Sequence, residues 1–503
     1  MTLSSFTRSA HRGLRPALVI SSIVLLQCCS SSISSPLVAQ ATASVSISLN
    51  SATLRRTIPT DFFGLSFEMS SIEAGNNNGT EWFSASSASG PYGTMLKKMG
   101  VGNIRIGGNS SERTPYATTT DAANVMAFAS GISANLIWNV PVKQNYNQAT
   151  SVSFVQSMWN TKSSNGYSFP LNIEAGNEPD NDDSDGNTMI SYSTWQSRYD
   201  GFSSAFRSQI NSSILTTGPS SSGCCTFPNG LETDSTYTGS LKSTIGDVTV
   251  HTYPLGNASS TSTYSDSNSS YDAALLSTSR DSAYQTFYDN FNDNASNNGY
   301  TVRIEETNVA YEQPLVSGVF NSYASALWAL DYFCYMAYNT NLAGMNLHTG
   351  PLDSNTYNAI YPVGPASSYS LNAEGYGLWV AHYGSQGQPL QTTLTNPAGV
   401  NLTAYGLLET NGGETVHLIN KTYGSGATNV TATITPGGSY THAQVIVLKQ
   451  SSNDVTATSG ITFGGYAMNG DGTWNGAYGA AQTFTGTFTY TLPATQAAII
   501  HFY

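Results

Sequence analysis

Short strand-like runs alternate with longer helical patterns from about residue 57 to residue 380, and this alternation constrains the fold more than any other feature of the chain. A strand, a helix and a second strand in succession form a βαβ unit, in which both strands are parallel. Eight runs in order predict an α/β fold with a closed (β/α)8 TIM barrel over residues 57–380. The runs cover residues 62–68, 101–106, 136–142, 171–175, 214–217, 248–253, 301–304 and 344–347.

The sequence changes character after about residue 385, where short alternating segments are separated by turns. One turn, Asn411-Gly412-Gly413, lies between two such segments and predicts a β-hairpin. Further alternating runs follow, so we expect an antiparallel β-sandwich domain over residues 385–503. Residues 44–49 alternate in the same way, and we expect the segment 40–56 to add an N-terminal strand to this domain. The later runs cover residues 430–434, 442–448, 482–492 and 497–503.

The first residues have the layout of a signal peptide. Three arginines precede a mostly apolar stretch at residues 17–26, and small residues at 37–41 offer a cleavage site. The apolar stretch is too short to span a bilayer. We therefore expect residues 1–39 to be removed and the protein to be secreted into the extracellular space without a membrane attachment.

The charge balance excludes several classes of partner. The formal net charge is −13, and loss of the three leader arginines would bring it to −16. Nucleic acids and long polyanionic polysaccharides are disfavoured as ligands, because binding them requires clustered lysine and arginine that the chain does not show. A single anionic sugar remains compatible with this charge. We expect the protein to act as a monomer.

Cysteine usage leaves the disulfide pattern open. Cys224, Cys225 and Cys334 follow the leader, so at most one disulfide can form, either between the adjacent pair or with Cys334. The chain has no Cys-x-x-Cys motif or histidine pair typical of a structural metal site, and we expect no cofactor. Asn-x-Ser/Thr sequons permit glycosylation, as at Asn78, Asn257 and Asn294.

Two strand-like runs end in a carboxylate. The run 171–175 continues into Asn177-Glu178-Pro179, where proline stops the strand and leaves Glu178 at the strand end. The run 301–304 continues into Glu305 and Glu306. In a (β/α)8 barrel the active site lies at the carboxyl ends of the strands. Two carboxylates on the fourth and seventh strands would face each other across that opening, which predicts a glycoside hydrolase.

The arrangement allows a retaining mechanism. One carboxyl group protonates the leaving oxygen and the other, roughly 5 to 5.5 Å away, attacks the anomeric carbon. Tyr253, at the end of the sixth run, could donate a hydrogen bond that keeps the nucleophile ionised, and Asn177 could bind a sugar 2-hydroxyl. The first run ends at Glu68 and the second continues to Asn109, which makes both residues functional candidates at the barrel opening.

The chain resembles glycoside hydrolase family 79, the β-glucuronidases and heparanases, over the whole mature sequence. The matching pieces are Gly176-Asn-Glu-Pro179, Gly64-Leu-Ser-Phe-Glu68, Arg105-Ile-Gly-Gly108, His251-Thr-Tyr253, Glu306-Thr-Asn-Val-Ala-Tyr311 and the trailing β domain. The resemblance implies that Glu178 is the acid/base and Glu306 the nucleophile. It also implies sugar contacts from Glu68, Asn109 and Asn177, support of the nucleophile by Tyr253, and carboxylate recognition near Tyr311 and Tyr357.

One departure bears on the substrate. Where heparanase-like members follow the tyrosine with glycines, this chain has Tyr311-Glu312-Gln313-Pro314, and a charge at Glu312 would oppose an anionic sugar if it faced the site. The prediction is a secreted retaining exo-β-glucuronidase that releases terminal β-linked glucuronate or 4-O-methylglucuronate from glycans or glycoconjugates. The alternatives are a β-glycosidase for a neutral sugar such as glucose or xylose, and a non-catalytic carbohydrate-binding protein.

Three further polar residues have ordinary structural interpretations beside functional ones. Glu305 faces the opposite way from Glu306 on its strand and is expected to be salt-bridged or solvated. Glu174 shares a face with Glu178 but lies deeper, which indicates a structural role. His251 is equally compatible with a hydrogen-bonded scaffold residue and with a sugar ligand.

Overall fold

The computed structural model describes residues 41–73, 82–113, 117–183, 186–223, 226–233, 242–256, 268–311, 318–350, 355–363 and 368–503. The predicted signal peptide (1–39), Cys224, Cys225, Glu312, Asn78 and Asn257 lie outside these residues, as does the side chain of Asn294.

Twenty β-strands are present in the described part of the chain. In chain order they are β1 Ala41–Leu54, β2 Phe63–Glu68, β3 Asn103–Gly107, β4 Asn135–Val140, β5 Leu171–Ala175, β6 Leu215–Ser221, β7 Ile245–Thr252, β8 Val302–Thr307, β9 Gly344–Thr349, β10 Ile360–Pro362, β11 Tyr369–Leu371, β12 Gly387–Thr395, β13 Leu402–Glu409, β14 Glu414–Asn420, β15 Thr428–Thr435, β16 His442–Gln450, β17 Ile461–Phe463, β18 Gln482–Thr483, β19 Phe488–Leu492 and β20 Gln496–Phe502.

The α-helices lie between or beside the barrel strands. They are α1 Met69–Ile72, α2 Ala85–Ser89, α3 Pro91–Lys98, α4 Thr119–Ile132, α5 Gln148–Asn165, α6 Tyr192–Ala205, α7 Thr226–Thr233, α8 Asn268–Leu275, α9 Arg280–Asn298, α10 Tyr323–Asn339 and α11 Ala373–His382. A 3₁₀ turn, Asn109–Glu112, follows β3. In the described residues no helix combines the length and the apolar character needed to cross a membrane.

Strands β2 to β9 close into a parallel barrel, which confirms the predicted (β/α)8 fold. Each strand pairs with the next, and β9 returns to pair with β2. Strand residues alternate in direction: Ile104 and Ile106 of β3 join the apolar core shared with the helices, while the side chain of Arg105 points the other way and bonds to polar groups of other barrel strands. The barrel interior near the site is therefore polar.

The C-terminal domain is built on a sheet of strands in the order β17-β16-β20-β14-β13-β12-β1-β15-β19, with β18 also paired to β16. Most neighbours are antiparallel. The N-terminal strand β1 lies between β12 and β15, and its pairing with β15 is parallel, from Ala41 opposite Thr428 to Ser48 opposite Thr435. The sheet domain therefore departs from the purely antiparallel arrangement expected from the sequence.

Strands β14 and β20 of this sheet are buried on both faces. On β20, Ala498 and Ile500 contribute to a core within the C-terminal domain, whereas Ala497 and Ile499 belong to the core shared with the barrel. On β14, Leu418 and Ile419 divide in the same way. Successive strand residues point to opposite faces of the sheet. One face of β14 and β20 therefore packs within the C-terminal domain, and the other face packs against the barrel.

Candidate active site

Glu178 lies three residues beyond the end of β5, in a turn that contains two residues with positive φ. Gly176 has φ +89°, and a Cβ at this position would meet Val142 Cγ2 at 1.9 Å. Glu178 itself has φ +44°, an uncommon backbone conformation for a side chain other than glycine. Its amide donates to Ser220 O at 2.9 Å. The backbone is thus fixed to β6, and the carboxyl group is turned into the barrel opening.

Glu306 lies on β8 and is 7% exposed. Tyr253 donates a hydrogen bond to its Oε1 at 2.5 Å, and Arg105 Nη1 donates to its Oε2 at 2.6 Å. His348 Nδ1 lies 3.5 Å from Oε2. Burial alone would raise the pKa of Glu306, but the charges of His348, His251 and Arg105 and the Tyr253 hydrogen bond outweigh it and lower this pKa. The carboxylate is therefore held ionised.

His251, at the end of β7, lies between the two carboxyl groups. Its Nδ1 is 2.8 Å from Glu178 Oε1 and 3.7 Å from Glu306 Oε1, and its Nε2 is 2.7 Å from Ser220 Oγ. Burial acts to lower the pKa of His251, yet the Glu306 charge and the Glu178 hydrogen bond raise it overall. One carboxylate oxygen of Glu178 and one of Glu306 lie within 4.8 Å of each other.

Arg105 organises the floor of this cluster. The side chain is fully buried and donates to Glu306, to Asn177 Oδ1 at 2.7 Å and to Glu174 Oε2 at 2.9 Å. Burial acts to lower the pKa of Arg105, but the Glu174 and Glu306 charges raise it overall. A guanidinium that presents several donors in a fixed plane can hold acceptors from separate strands at once. Arg105 thereby joins the nucleophile candidate to β5 and to Asn177, the residue before Glu178.

Asn177 and Asn109, both predicted to contact the sugar, lie in contact with each other. Asn177 Nδ2 donates to Asn109 Oδ1 at 3.1 Å. The backbone amide of Asn177 donates to Glu112 Oε1, and the same buried carboxyl group also accepts from the amides of Val142 and Lys143. Burial raises the pKa of Glu112. Glu112 joins the loops after three strands and so positions Asn177.

Glu68, at the end of β2, lies against the loop that carries Asn109. Its Oε2 accepts from the backbone amide and the hydroxyl of Ser110, and its Oε1 lies 3.7 Å from His348 Nε2. Gly108 has φ +73°, and a Cβ there would lie 2.3 Å from the Glu68 carboxyl group, so glycine is required for this approach. Burial raises the pKa of Glu68.

Three tyrosines line the remaining side. Tyr253 and Tyr311 meet edge to face, with ring centroids 5.6 Å apart, and Tyr311 is 42% exposed. Tyr357 is buried, donates to Ala310 O at 2.9 Å and meets the ring of His348 at 6.2 Å. Tyr311 is accessible to a ligand, whereas the hydroxyl of Tyr357 is already bonded to Ala310, the residue before Tyr311.

The expectation that Glu305 is salt-bridged or solvated is wrong. Glu305 is fully buried, lies beside the Glu174 carboxyl group and has no basic residue of the described structure within ion-pair distance. Burial and the neighbouring Glu174 charge raise its pKa well above the ordinary value. The reason is barrel closure, which points this side chain inward beside Glu174, while Arg105 forms its ion pairs with Glu174 and Glu306. Glu305 is held away from the opening where Glu306 lies.

A metal ion is a second possible occupant of the acidic cluster. Ligand atoms of Glu178, His251 and Glu306 all lie within 4.8 Å of one another. Arg105 already places a positive charge 2.6 Å from Glu306 Oε2, which would repel a cation held at this carboxylate. The donor set therefore suits an acid, a nucleophile and their hydrogen-bond partners better than a metal centre.

Four supporting residues were not singled out from the sequence: Ser220, His348, Glu112 and Arg105, the last named only as part of a motif. His348 lies near the carboxyl end of β9, at the barrel opening. This strand-end position was the signal by which the sequence could have identified it as a site residue. Ser220 and Glu112 gave none, because serine and glutamate are common and their partners lie on distant segments.

The C-terminal domain matches a known family. Residues 404–499 match the sequence model of the glycosyl hydrolase family 79 C-terminal beta domain. No curated protein matches the chain. This finding confirms the predicted resemblance to family 79.

Solved structures of glycosidases share the fold. A 4-O-α-L-rhamnosyl-β-D-glucuronidase from Fusarium oxysporum 12S, in a Rha-GlcA complex, has a TM-score of 0.67 at 20% identity over 91% of this chain and 99% of that chain. A family 51 α-L-arabinofuranosidase from Bifidobacterium longum has a TM-score of 0.64 at 16% identity, with the same coverage. An α-L-arabinofuranosidase from Thermotoga maritima has a TM-score of 0.61 at 12% identity, again over 91% and 99%. Family and fold together support a glycosidase with a carbohydrate substrate.

Proposed function

We propose that this chain, a glycoside hydrolase by its family match and its fold, is a secreted retaining exo-β-glucuronidase that releases terminal glucuronate or 4-O-methylglucuronate. The observation that carries the proposal is the pair Glu178 and Glu306, whose nearest carboxylate oxygens lie within 4.8 Å. Carboxyl groups of retaining enzymes are about 5 to 5.5 Å apart, whereas inverting enzymes leave about 6.5 to 9.5 Å for a water molecule. The close spacing supports retention.

In the first step Glu306 attacks the anomeric carbon. The role suits its environment, since Arg105, Tyr253 and the two histidines favour the ionised form. Glu178 gives its proton to the leaving oxygen as the glycosidic bond breaks, and the sugar becomes bonded to Glu306. Asn177 and Asn109 lie beside the acid, where a contact to the sugar 2-hydroxyl would strengthen as the transition state forms.

In the second step Glu178 acts as a base. It takes a proton from a water molecule, the oxygen of that water bonds to the anomeric carbon, and the bond to Glu306 breaks. His251 contacts Glu178 Oε1 at 2.8 Å, so this imidazole can hold the carboxyl group in one orientation through both steps. The configuration at the anomeric carbon is the same in substrate and product.

The choice of glucuronate is supported by two independent points. The Fusarium oxysporum enzyme with the same fold is described as a glucuronidase. In this chain, Tyr311 is exposed beside Tyr253 at the opening, where a phenol hydroxyl could donate to a sugar carboxylate. The net negative charge excludes a long polyanion but leaves room for one terminal uronate. Secretion belongs to the same proposal and is supported by the predicted leader. A monomeric state is part of the proposal as well.

The substrate is tested with purified protein and the nitrophenyl β-glycosides of glucuronate, glucose and xylose. We expect the glucuronide to have the highest kcat/KM and the released sugar to be the β-anomer when followed by NMR. A higher kcat/KM for the glucoside or the xyloside would reject the glucuronate assignment, and an α-anomer product would reject retention.

The nucleophile is tested by two matched substitutions on adjacent residues. Glu306→Gln removes the attacking carboxylate, so we expect kcat to fall by about 10⁴-fold or more, corresponding to at least ~5 kcal/mol of transition-state stabilisation. Glu305→Gln replaces a buried carboxyl group with a neutral amide of similar size. We therefore expect the kcat of this variant to remain within about tenfold of the parent value. Full activity of Glu306→Gln together with loss in Glu305→Gln would reverse the assignment.

A further inference from the structure

A cleft separate from the barrel opening lies where the end of the last barrel helix meets the C-terminal sheet. Its volume is about 290 Å³. Tyr383 follows α11 and forms one wall, Glu409 at the end of β13 and His501 of β20 form another, and Tyr478 comes from the long connection between β17 and β18. Small-ligand pockets span about 300 to 1,000 Å³, so the volume suits one or two sugar rings.

The cleft presents aromatic rings and polar groups together. The rings of Tyr383 and Tyr478 are 6.0 Å apart and meet at 43°, so neither covers the other face to face. Tyr478 and His501 are 5.9 Å apart and meet at 42°. Exposed Gln386 and Asn411 stand on the rim and carry amides that both donate and accept hydrogen bonds.

The charged groups that line the cleft favour a neutral ligand over an anionic one. The His501 Nε2 to Glu409 Oε2 distance is 3.3 Å. Burial acts to raise the pKa of Glu409, but the hydrogen bond and charge of His501 lower it overall, so the carboxylate is ionised at neutral pH. No lysine or arginine is among the described residues that line the cleft. An anionic ligand would meet repulsion there, whereas hydroxyl groups could donate to the carboxylate.

The walls are held by hydrogen bonds to their backbone carbonyl groups. Thr415 donates to Gly384 O at 2.9 Å, and His417 Nε2 is 3.1 Å from Tyr383 O. The amide of Thr410 donates to Gln386 O at 3.3 Å, which joins the two rims. A cleft held in this way needs little ordering when a ligand binds, and this lowers the entropic cost of binding.

From the tyrosine walls, the ionised Glu409 and the amide rim, we propose that this cleft is an accessory binding site for a neutral sugar unit of a glycan. The apolar face of a pyranose packs on a tyrosine ring, and its hydroxyls reach Glu409, Gln386 and Asn411. Selection against uronates follows from Glu409. The site is independent of which sugar the barrel opening cleaves.

The test uses the full-length chain and calorimetric titration with hexasaccharides of β-1,4-xylose, β-1,4-glucose and β-1,3-galactose. We expect at least one to bind, and Tyr478→Ala to weaken that binding by about tenfold or more. Glu409→Gln should weaken it as well, and it keeps the test valid if Tyr478→Ala disturbs folding. The matched control is Tyr466→Ala, an exposed tyrosine on the same connection but outside the cleft, with affinity within about twofold of the parent.

Activity on a nitrophenyl glycoside is measured in parallel and should be unchanged in all three variants, because none of these residues lies in the barrel opening. Binding of no hexasaccharide at concentrations up to about 5 mM would overturn the proposal. So would equal affinity of the parent and both cleft variants, which would locate the binding elsewhere.

Discussion

At the scale of single residues, the site depends on a buried carboxylate that stays charged. Glu306 is nearly inaccessible to water, which disfavours its charged form. Arg105 and Tyr253 supply donors at hydrogen-bond distance, and these outweigh the loss of hydration. Arg105 and Tyr253 thus keep Glu306 in the ionised form that a nucleophile requires.

Tyr253→Phe is expected to remove one of these donors while keeping the ring in place. A hydrogen bond to a charged group contributes about 1.5 to 3 kcal/mol, so kcat/KM on the nitrophenyl glycoside should fall by about 10- to 100-fold. The pKa of Glu306 should rise toward its ordinary value, because Tyr253 lowers it in the parent. The acidic limb of the pH profile of kcat/KM would then move to higher pH.

The control for this prediction is Tyr466→Phe, which removes a hydroxyl from an exposed tyrosine and should leave both the rate and the pH profile unchanged. A lower rate in Tyr253→Phe with no displacement of the acidic limb would show that the hydroxyl acts in some way other than on the ionisation of Glu306.

The sequence identified some site residues better than others. Glu178 could be selected from its strand-end position, whereas the choice of Glu306 over Glu305 depended on the resemblance to family 79. The structure brings Glu178 and Glu306 together. The role of Arg105 could not be predicted in full, because it requires strands β3, β5 and β8 to face one another after closure. The burial of Glu305 was missed for the same reason.

At the scale of elements, helix α10 is joined to the C-terminal sheet by a buried charge pair. Asp331 Oδ2 lies 2.5 Å from Lys421 Nζ, and its Oδ1 accepts from Thr403 at 2.6 Å and from Tyr405 at 2.7 Å. Asp331 and Lys421 are each 2% exposed. A buried charge with satisfied hydrogen bonds fixes the orientation of one element on another.

Asp331→Asn should destabilise the protein strongly. The substitution leaves the Lys421 charge buried without its partner, and breaking a buried pair in this way costs about 3 to 5 kcal/mol. Urea denaturation gives the free energy of unfolding. Asp289→Asn on helix α9 is the matched control, since Asp289 is exposed and its loss should change this free energy by less than about 0.5 kcal/mol. A similar effect of both substitutions would contradict the prediction.

Each of the eight barrel strands overlaps a run that could be recognised in the sequence, because buried parallel strands are short, apolar and separated by helices. Strand ends differed by a few residues, as for β6, which extends to Ser221. Strand β12 was not recognised, since its exposed half carries threonine and glutamine in place of an apolar face. The parallel pairing of β1 with β15 depends on tertiary contacts and leaves no local pattern.

At the scale of the whole molecule, the barrel and the sheet share one apolar core, and histidines lie in it. His417 of β14 is 1% exposed, with Nδ1 3.1 Å from the Tyr338 hydroxyl and Nε2 3.2 Å from Val380 O. Burial lowers the pKa of His417 to about 4. The neutral imidazole therefore joins the sheet to helices α10 and α11.

The contribution of His417 to stability should decrease as the solution becomes acidic. The unfolded chain protonates this imidazole below about pH 6.5, whereas the folded chain does so only near pH 4, so between these values the unfolded state binds more protons. From pH 6.5 to 4 the stability advantage of the parent over His417→Gln should fall by about 3 kcal/mol. Urea denaturation at several pH values measures this difference.

Ile419→Val, on the same strand, is the control for this pH series. It removes one buried methylene and no titratable group, so its cost of about 0.5 to 1.5 kcal/mol should be the same at every pH. A constant difference between the parent and His417→Gln from pH 6.5 to 4 would contradict the lowered pKa of His417.

The position of strand β1 in the sheet affects the order in which the chain can fold during synthesis. It lies between β12 and β15, and the bonded pair Asn50 and Gln391 is separated by 341 positions in the chain. At a synthesis rate of about 5 to 20 residues per second, β1 leaves the ribosome roughly 20 to 70 s before its partner strand exists. During that interval its apolar face, including Ile47, has no sheet to join. The nascent chain must therefore carry an unpaired strand while the barrel forms, a period in which we expect it to depend on chaperones.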